Sequence, residues 1–230
     1  MDQASSAIDT LLEIMRRRRN NRRFRSDPVP DGHINTIIEA ARWASSGANT
    51  QPWEFIVIRD PVRKKEIAEV FVDALQKGRE VDPKFPSGTE EMLRTKYENA
   101  PVLIAVCADP RLKEAYPASG FRDSILYISM GAAMEHMHLA AVALGMAMCW
   151  GTVNKFSEEP LGKLLGVPAP LVVKEVFTLG YPVAEIEPKF RRGVSEVVHM
   201  ERMDPAKLRT EQEIARAIAN RRAPDIYTAR

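Results

Sequence analysis

Residues 122–144 are apolar nearly all the way round a helical wheel, rich in Gly, Ala and Met, and closed by Gly145. A helix of that kind has no face to offer water, so it belongs at the centre of a fold. Met130, Met134 and Met137 share one of its faces, which reads as core packing rather than as a cofactor contact. Residues 102–108 form an unbroken apolar run and predict a strand buried on both faces. With 230 residues, 45% of them apolar and 28% charged, one sizeable core with extensions is expected across 1–230.

The remaining elements follow from periodicity and punctuation. Ile8, Leu11, Leu12 and Met15 fall at helical spacing and predict a helix that ends in arginines. A second helix opens at Pro30-Asp31, buries Ile34, Ile37, Ile38 and Ala41, and stops at Ser45-Ser46-Gly47. Residues 53–58 read as a strand, and Asp60-Pro61 caps a helix running to about residue 76. Residues 78–88 carry loop chemistry, for which a lid over a site and a passive surface excursion are both open. A helix over 89–97, a strand over 147–151, a helix over 157–165 and a strand over 174–180 complete the pattern. Beyond Asp204-Pro205, Leu208, Ile214 and Ile218 give a charged helix too narrow an apolar face to bury alone. A partner subunit is the expected support for it.

The net charge is only +2, but its distribution is uneven. Arg16, Arg17, Arg18, Arg19, Arg22, Arg23 and Arg25 are seven of the 33 basic residues; without them 26 bases face 31 acids, a balance of −5. A nucleic-acid binder normally spreads its bases over a face, so a single small anionic ligand fits this local cluster better. A localisation signal or a solvated arm also fits a basic run taken alone.

Cys107 and Cys149 lie far apart in apolar surroundings and form no CxxC pair, as suits a reducing compartment. The first ten residues lack an apolar signal core, and no stretch of about 18 apolar residues occurs, so a cytoplasmic protein without membrane contact is expected. Metal chemistry has little support. His136 and His138 are two apart on a helix and point to different sides, whereas helical ligand pairs are four apart. The nucleophile elbow, the Rossmann fingerprint and the P-loop are all missing.

Two short segments carry chemistry instead. Arg18-Arg19-Asn20-Asn21-Arg22-Arg23-Phe24 offers planar guanidinium forks that hold a phosphate bidentately, with Asn20 as a neutral donor and acceptor. Ser45-Ser46-Gly47-Ala48-Asn49-Thr50-Gln51-Pro52-Trp53 lets backbone approach a flat ring, while Asn49 and Gln51 read both donors and acceptors on its edge. Together they favour a phosphorylated heterocycle.

These segments resemble the FMN-dependent nitroreductases, which commonly open with Arg-Arg-Ser-x-Arg-x-Phe and follow with Pro-Ser-x-x-Asn-x-Gln-Pro-Trp. Asn20 replaces the usual Ser and Ser45 the usual Pro. The likeness continues through Ala143-Leu144-Gly145, Cys149-Trp150-Gly151-Thr152, Gly180-Tyr181-Pro182 and Pro188-Lys189-Phe190-Arg191-Arg192, and so covers about residues 16–201.

The resemblance implies an α+β fold, a mixed sheet flanked by helices, built as an intertwined homodimer with two FMN sites at the subunit interface. The core would span about 8–201, with 202–230 packing on the partner. By the same resemblance, Arg18, Arg19, Asn20, Lys189 and Arg191 grip the FMN phosphate and ribityl chain, and Arg22 lies near the pyrimidine end of the ring. Ser46, Gly47, Asn49 and Gln51 line the ring, Trp150 and Gly151 belong to the same site, and Thr152 faces flavin N5. Thr152 read alone is equally a turn hydroxyl.

The implied activity is ping-pong hydride transfer from NADH or NADPH through FMN to nitroaromatics, quinones or related conjugated acceptors. Reductive dehalogenation of the iodotyrosine deiodinase type is the second reading, with Ala48 facing the substrate. No counterpart of that enzyme's Glu, Tyr and Lys lid set is recognised between Val70 and Tyr97. A non-catalytic protein using residues 16–25 as a basic arm is the alternative from another class.

Overall fold

The computed structural model describes residues 3–82, 88–115 and 122–221. At its centre, β2 (Val102–Ala108) is buried at every position, as its unbroken apolar run requires. It lies between β1 (Trp53–Ile58) and β4 (Val172–Gly180), and β3 (Ala147–Cys149) pairs with the far edge of β4. The order is β1-β2-β4-β3 and all these pairs are antiparallel, with a register shift between Val106 and Cys107. A parallel component enters as a single bridge, Asn20 to Met148.

Strand alternation divides the interior into two apolar layers. On one face, Ile104, Val106, Phe177 and Leu179 meet α2 (Asp31–Arg42) through Ile34, Ile37 and Ala41 and α5 (Arg122–Ala143) through Met130, Met134 and Met137. The methionine stripe is therefore core. On the other face, Leu103, Ala105, Val173 and Val176 pack on α3 (Pro61–Val81), α4 (Glu90–Glu98) and α6 (Glu158–Leu165), with Phe71, Tyr97 and Leu161 fully or nearly buried. Phe71 and Tyr97 stack at 4.4 Å between ring centroids. Caps set the helix ends: the Asp60 carboxylate accepts from Val62 N and Arg63 N, Thr89 accepts from Met92 N, and Gly166 takes the left-handed conformation after α6.

Several expectations change. α3 continues through Val81 instead of ending near residue 76, so Gly78 is a buried helical residue rather than the start of a loop. Residues 83–87 of the 78–88 segment, for which a lid and a surface excursion are both open, and residues 116–121 lie outside the described residues. β3 ends at Cys149, leaving Trp150 and Gly151 beyond the strand. In α1 (Gln3–Arg17), the stripe Ile8, Leu11, Leu12 and Met15 is helical but remains 37–49% exposed. The tail beyond Pro182 forms α7 (Val194–Val197), a 3-10 turn and α8 (Glu211–Arg221), and large apolar residues along it, among them Phe190, Val194 and Met200, stay exposed. No helix among the described residues is long and apolar enough to cross a membrane.

Candidate active site

Residues 20–25 leave α1 and run alongside the far end of the chain. Asn20 bridges to Met148, Asn21 Nδ2 donates to the Ala184 carbonyl at 3.1 Å, Arg25 N–H donates to Tyr181 O at 2.9 Å, and Phe24 bridges to Pro182. Gly180 allows this close approach, because a Cβ there would stand 2.8 Å from Pro101 Cδ and 3.0 Å from Phe24 Cβ. The cationic segment is thereby delivered beside Trp150, Gly151 and Thr152.

Asn20, Arg22, Trp150, Gly151 and Thr152 line one cavity of 430 Å³. Phe71, Leu75, Met92 and Leu93 give it an apolar wall, while Lys96, Tyr97 and Asn154 add polar groups. An apolar chamber with a few convergent polar atoms is the usual design of a small-molecule site. Asn20 Oδ1 is buried without a hydrogen-bond partner among the described residues, an arrangement that is costly unless a ligand donor meets it. Trp150 lines the cavity, but its ring packs on His138 (5.3 Å, stacked) and Phe177 (4.9 Å, edge-on). Its contribution to polar recognition runs through its carbonyl, which accepts from Lys96 Nζ at 2.6 Å.

Beneath Gly151 and Thr152 lies a buried polar cluster that the sequence reading does not contain. Glu175, 3% exposed, sits within β4. Its Oε1 accepts from Gly151 N–H and from Val176 N–H (3.3 Å), and its carboxyl also bonds the Thr152 side chain. Burial pushes its pKa up to about 7; the peptide N–H groups, Lys96 and Thr152 pull the other way. Lys96 Nζ also reaches Tyr97 Oη at 3.3 Å, and burial lowers its pKa. Tyr97 is held well above the usual phenol range by burial and then by Glu175 and Cys149. A Cβ on Gly151 would collide with Tyr97 Oη and the Val176 carbonyl. One sequence signal was available for Glu175: it is an acid at a core-facing register of a strand that, apart from Lys174 and Thr178, is apolar.

The set that the resemblance assigns to a phosphate is brought together in part. Arg18, Arg19 and Arg191 converge, since burial and then the charges of Arg18 and Arg191 lower the pKa of Arg19. Arg18 Nε stands 3.4 Å from Glu135, and Arg19 Nε donates to Glu187 O at 3.2 Å. Arg19 lines a separate groove of 720 Å³ together with Arg16, Arg17 and Asn21. Lys189 is exposed, and its carbonyl accepts from Arg191 at 3.4 Å; it lines neither cavity.

Ser46, Gly47, Ala48, Asn49 and Gln51 lie elsewhere. Their loop rests on the N-terminal half of α5, where Gly47 N–H donates to Ser129 Oγ at 3.2 Å. Six residues of helix, about 9 Å of rise, separate Ser129 from Glu135, the partner of Arg18. The loop is strained: Ala48, Asn49 and Gln51 all have positive φ, at 50°, 54° and 46°. Non-glycine residues held there cost about 1–3 kcal/mol each and cluster at functional sites. Ser46 Oγ pins the turn by accepting from Gln51 N–H at 3.0 Å. None of these loop residues lines either cavity.

His136 and His138 do point apart: His136 Nδ1 faces the Ala40 carbonyl at 3.0 Å, whereas His138 is 1% exposed between Trp150 and Phe177. Neither nitrogen of His138 has a partner among the described residues. Burial, then the charge of Arg18, bring its pKa down to about 3, so the ring is neutral.

Comparison with known proteins adds the family. The family model described as "Nitroreductase family" matches residues 15–181. A protein of Archaeoglobus fulgidus whose name pairs NADH dehydrogenase with NAD(P)H nitroreductase is 33% identical over 180 residues, covering 77% of this chain and 88% of the relative. The iodotyrosine deiodinase of Nematostella vectensis is 37% identical over 196 residues, covering 80% of this chain and 72% of the relative. Among solved structures, the NADPH:FMN oxidoreductase of Vibrio harveyi shares the fold, with a TM-score of 0.68 at 20% identity over 95% of this chain and 86% of that one.

Proposed function

Because this chain belongs to the nitroreductase family, we propose that it is an FMN-dependent NAD(P)H oxidoreductase that works as a homodimer, each FMN being held between the two subunits. The observation that carries this reading is the unpartnered, buried Asn20 Oδ1 in a cavity that also presents Arg22 and Thr152 to an apolar wall. When bound, FMN supplies hydride acceptance from the nicotinamide and hydride donation to a conjugated acceptor such as a nitroaromatic or quinone.

The protein's part is binding, orientation and charge. Arg22 places a fixed cation in the cavity, which favours any species that gains negative charge there. Arg18, Arg19 and Arg191 supply the convergent guanidinium charge that a phosphate dianion neutralises. Phe71, Leu75, Met92 and Leu93 exclude water and accept the face of a flat ligand. Ser46, Gly47, Asn49 and Gln51, which do not line this cavity, complete the partner copy's site. The exposed stripes of α1 and of the tail fit a chain that covers them by pairing with a second copy.

Purification with a yellow 450 nm band, and bleaching of that band by NADH or NADPH without oxygen, is the test. Arg22→Ala should weaken FMN retention or slow bleaching at least tenfold. Unchanged occupancy and rate would remove Arg22 from the ring. The 37% identity to an iodotyrosine deiodinase supports reductive dehalogenation as the second reading. An anaerobic panel of nitroaromatics, quinones and halotyrosines ranks the two.

A further inference from the structure

The Glu175 carboxyl stands one residue behind the cavity lining. It is held by two peptide N–H groups and the Thr152 side chain rather than by a salt bridge among the described residues. An antiparallel bridge between Thr152 and Glu175 fixes the two residues side by side. Thr152 itself lines the cavity. An acid so placed is linked through one hydroxyl to whatever occupies the chamber, yet is shielded from solvent.

We propose that Glu175 is a proton-storing positioning residue that, through Thr152, takes up one proton from water when the bound cofactor is reduced. This rests on the FMN reading above. A nicotinamide hydride brings both electrons and the one proton that the ring keeps, so reduction leaves the site one negative charge richer. That added charge opposes the Glu175 carboxylate, which is itself buried, and favours its protonation. The proton comes from solvent and resides on a carboxyl oxygen; no bond other than O–H forms and no further oxidant or reductant is needed.

Other titrating and charged groups face the same spot. Lys96 and Tyr97 on α4, Cys149 at the end of β3 and Arg22 on the incoming segment all share its electrostatics. Burial favours the neutral acid, the Gly151 N–H, Lys96, the Val176 N–H and Thr152 favour the charged carboxylate, and together they leave Glu175 with a pKa of about 7. Above that pH the carboxyl is mostly charged before reduction, so added negative charge in the chamber can draw in up to one proton.

The experiment is a redox titration of the FMN-loaded protein between pH 7 and 9. One proton per two electrons gives about 30 mV per pH unit, and a second proton doubles this to about 59 mV. The wild type should show the steeper slope above pH 7, and Glu175→Gln about 30 mV throughout. A wild-type slope of 30 mV or less overturns the proposal, and so does a 59 mV slope that survives in Glu175→Gln. A readout independent of the cofactor is the infrared carbonyl band of an un-ionised carboxyl in FMN-free protein at pH 6, present in wild type and missing in Glu175→Gln. If FMN does not bind at all, the functional reading fails, and absence of this band separately overturns the proton store. Should the variant not fold, the wild-type slope and the growth of that band on reduction decide.

Discussion

His138 and Glu175 set up opposed pH dependences of stability that a single substitution should uncouple. The folded protein holds His138 neutral, with a pKa near 3 against 6.5 when unfolded. Below pH 6.5 the unfolded chain therefore binds a proton that the folded chain refuses, and stability falls with acid. Between pH 7 and pH 5 this loss is about 2 kcal/mol for one fully buried ring. Glu175 has the opposite sign: its folded pKa of about 7 exceeds its unfolded value near 4.5, so the folded state binds the extra proton first and stability rises as pH falls. Over the same interval its gain is again about 2 kcal/mol. The two nearly cancel in the wild type. His138→Leu, close in volume and without the two unpartnered nitrogens, should thus be about 2 kcal/mol more stable at pH 5 than at pH 7, relative to the wild-type difference. Urea unfolding at both pH values, at fixed protein and FMN concentrations, measures this, and comparing differences removes every titration that the two proteins share. Equal pH slopes in wild type and His138→Leu would show that the ring takes up its proton inside the fold, and the reasoning would be wrong.

Glu175→Gln should show the mirror image, gaining about 2–3 kcal/mol over wild type between pH 5 and pH 8.5, again by urea unfolding. Gly151→Ala drives a methyl group into Tyr97 Oη and the Val176 carbonyl, and the carbonyl, being backbone, cannot swing aside. A loss of about 1–3 kcal/mol in stability and a fall in FMN occupancy are expected, measured by melting and by the 450 nm absorbance. Full occupancy with an unchanged melting temperature would mean that the 150–152 segment shifts freely.

Much of the scaffold is readable from residue order alone. β2 spans the predicted 102–108, and α5 ends one residue before the predicted limit, because continuous apolarity leaves a segment no solvent face to choose. Asn20, Arg22 and Thr152, far apart in the chain, line one cavity, and the charge of Arg191 from the chain's far end acts on Arg19. What local pattern cannot convey is the content of a tertiary crossing. Lys96, Tyr97 and Glu175 come from α4 and β4 and acquire their character only when Gly151 is pressed between them. Trp150 carries a side chain that serves the core while its carbonyl serves the site, a division that no motif expresses. The stripe on α1 is a true helical period, but periodicity does not say whether the surface it meets belongs to the same chain.

The zipping of residues 20–25 onto residues 181–184 also orders events during synthesis. Asn21 and Ala184 are 163 positions apart, so the entropy of closing that long loop must be met before the first cation can settle. The sheet has to be nearly finished first, since β4 ends at Gly180, immediately before the strip that receives the arginines. A ribosome-bound chain halted short of this point would carry the basic run on an unanchored segment, and its ability to retain a ligand would arrive only with the last quarter of the polypeptide.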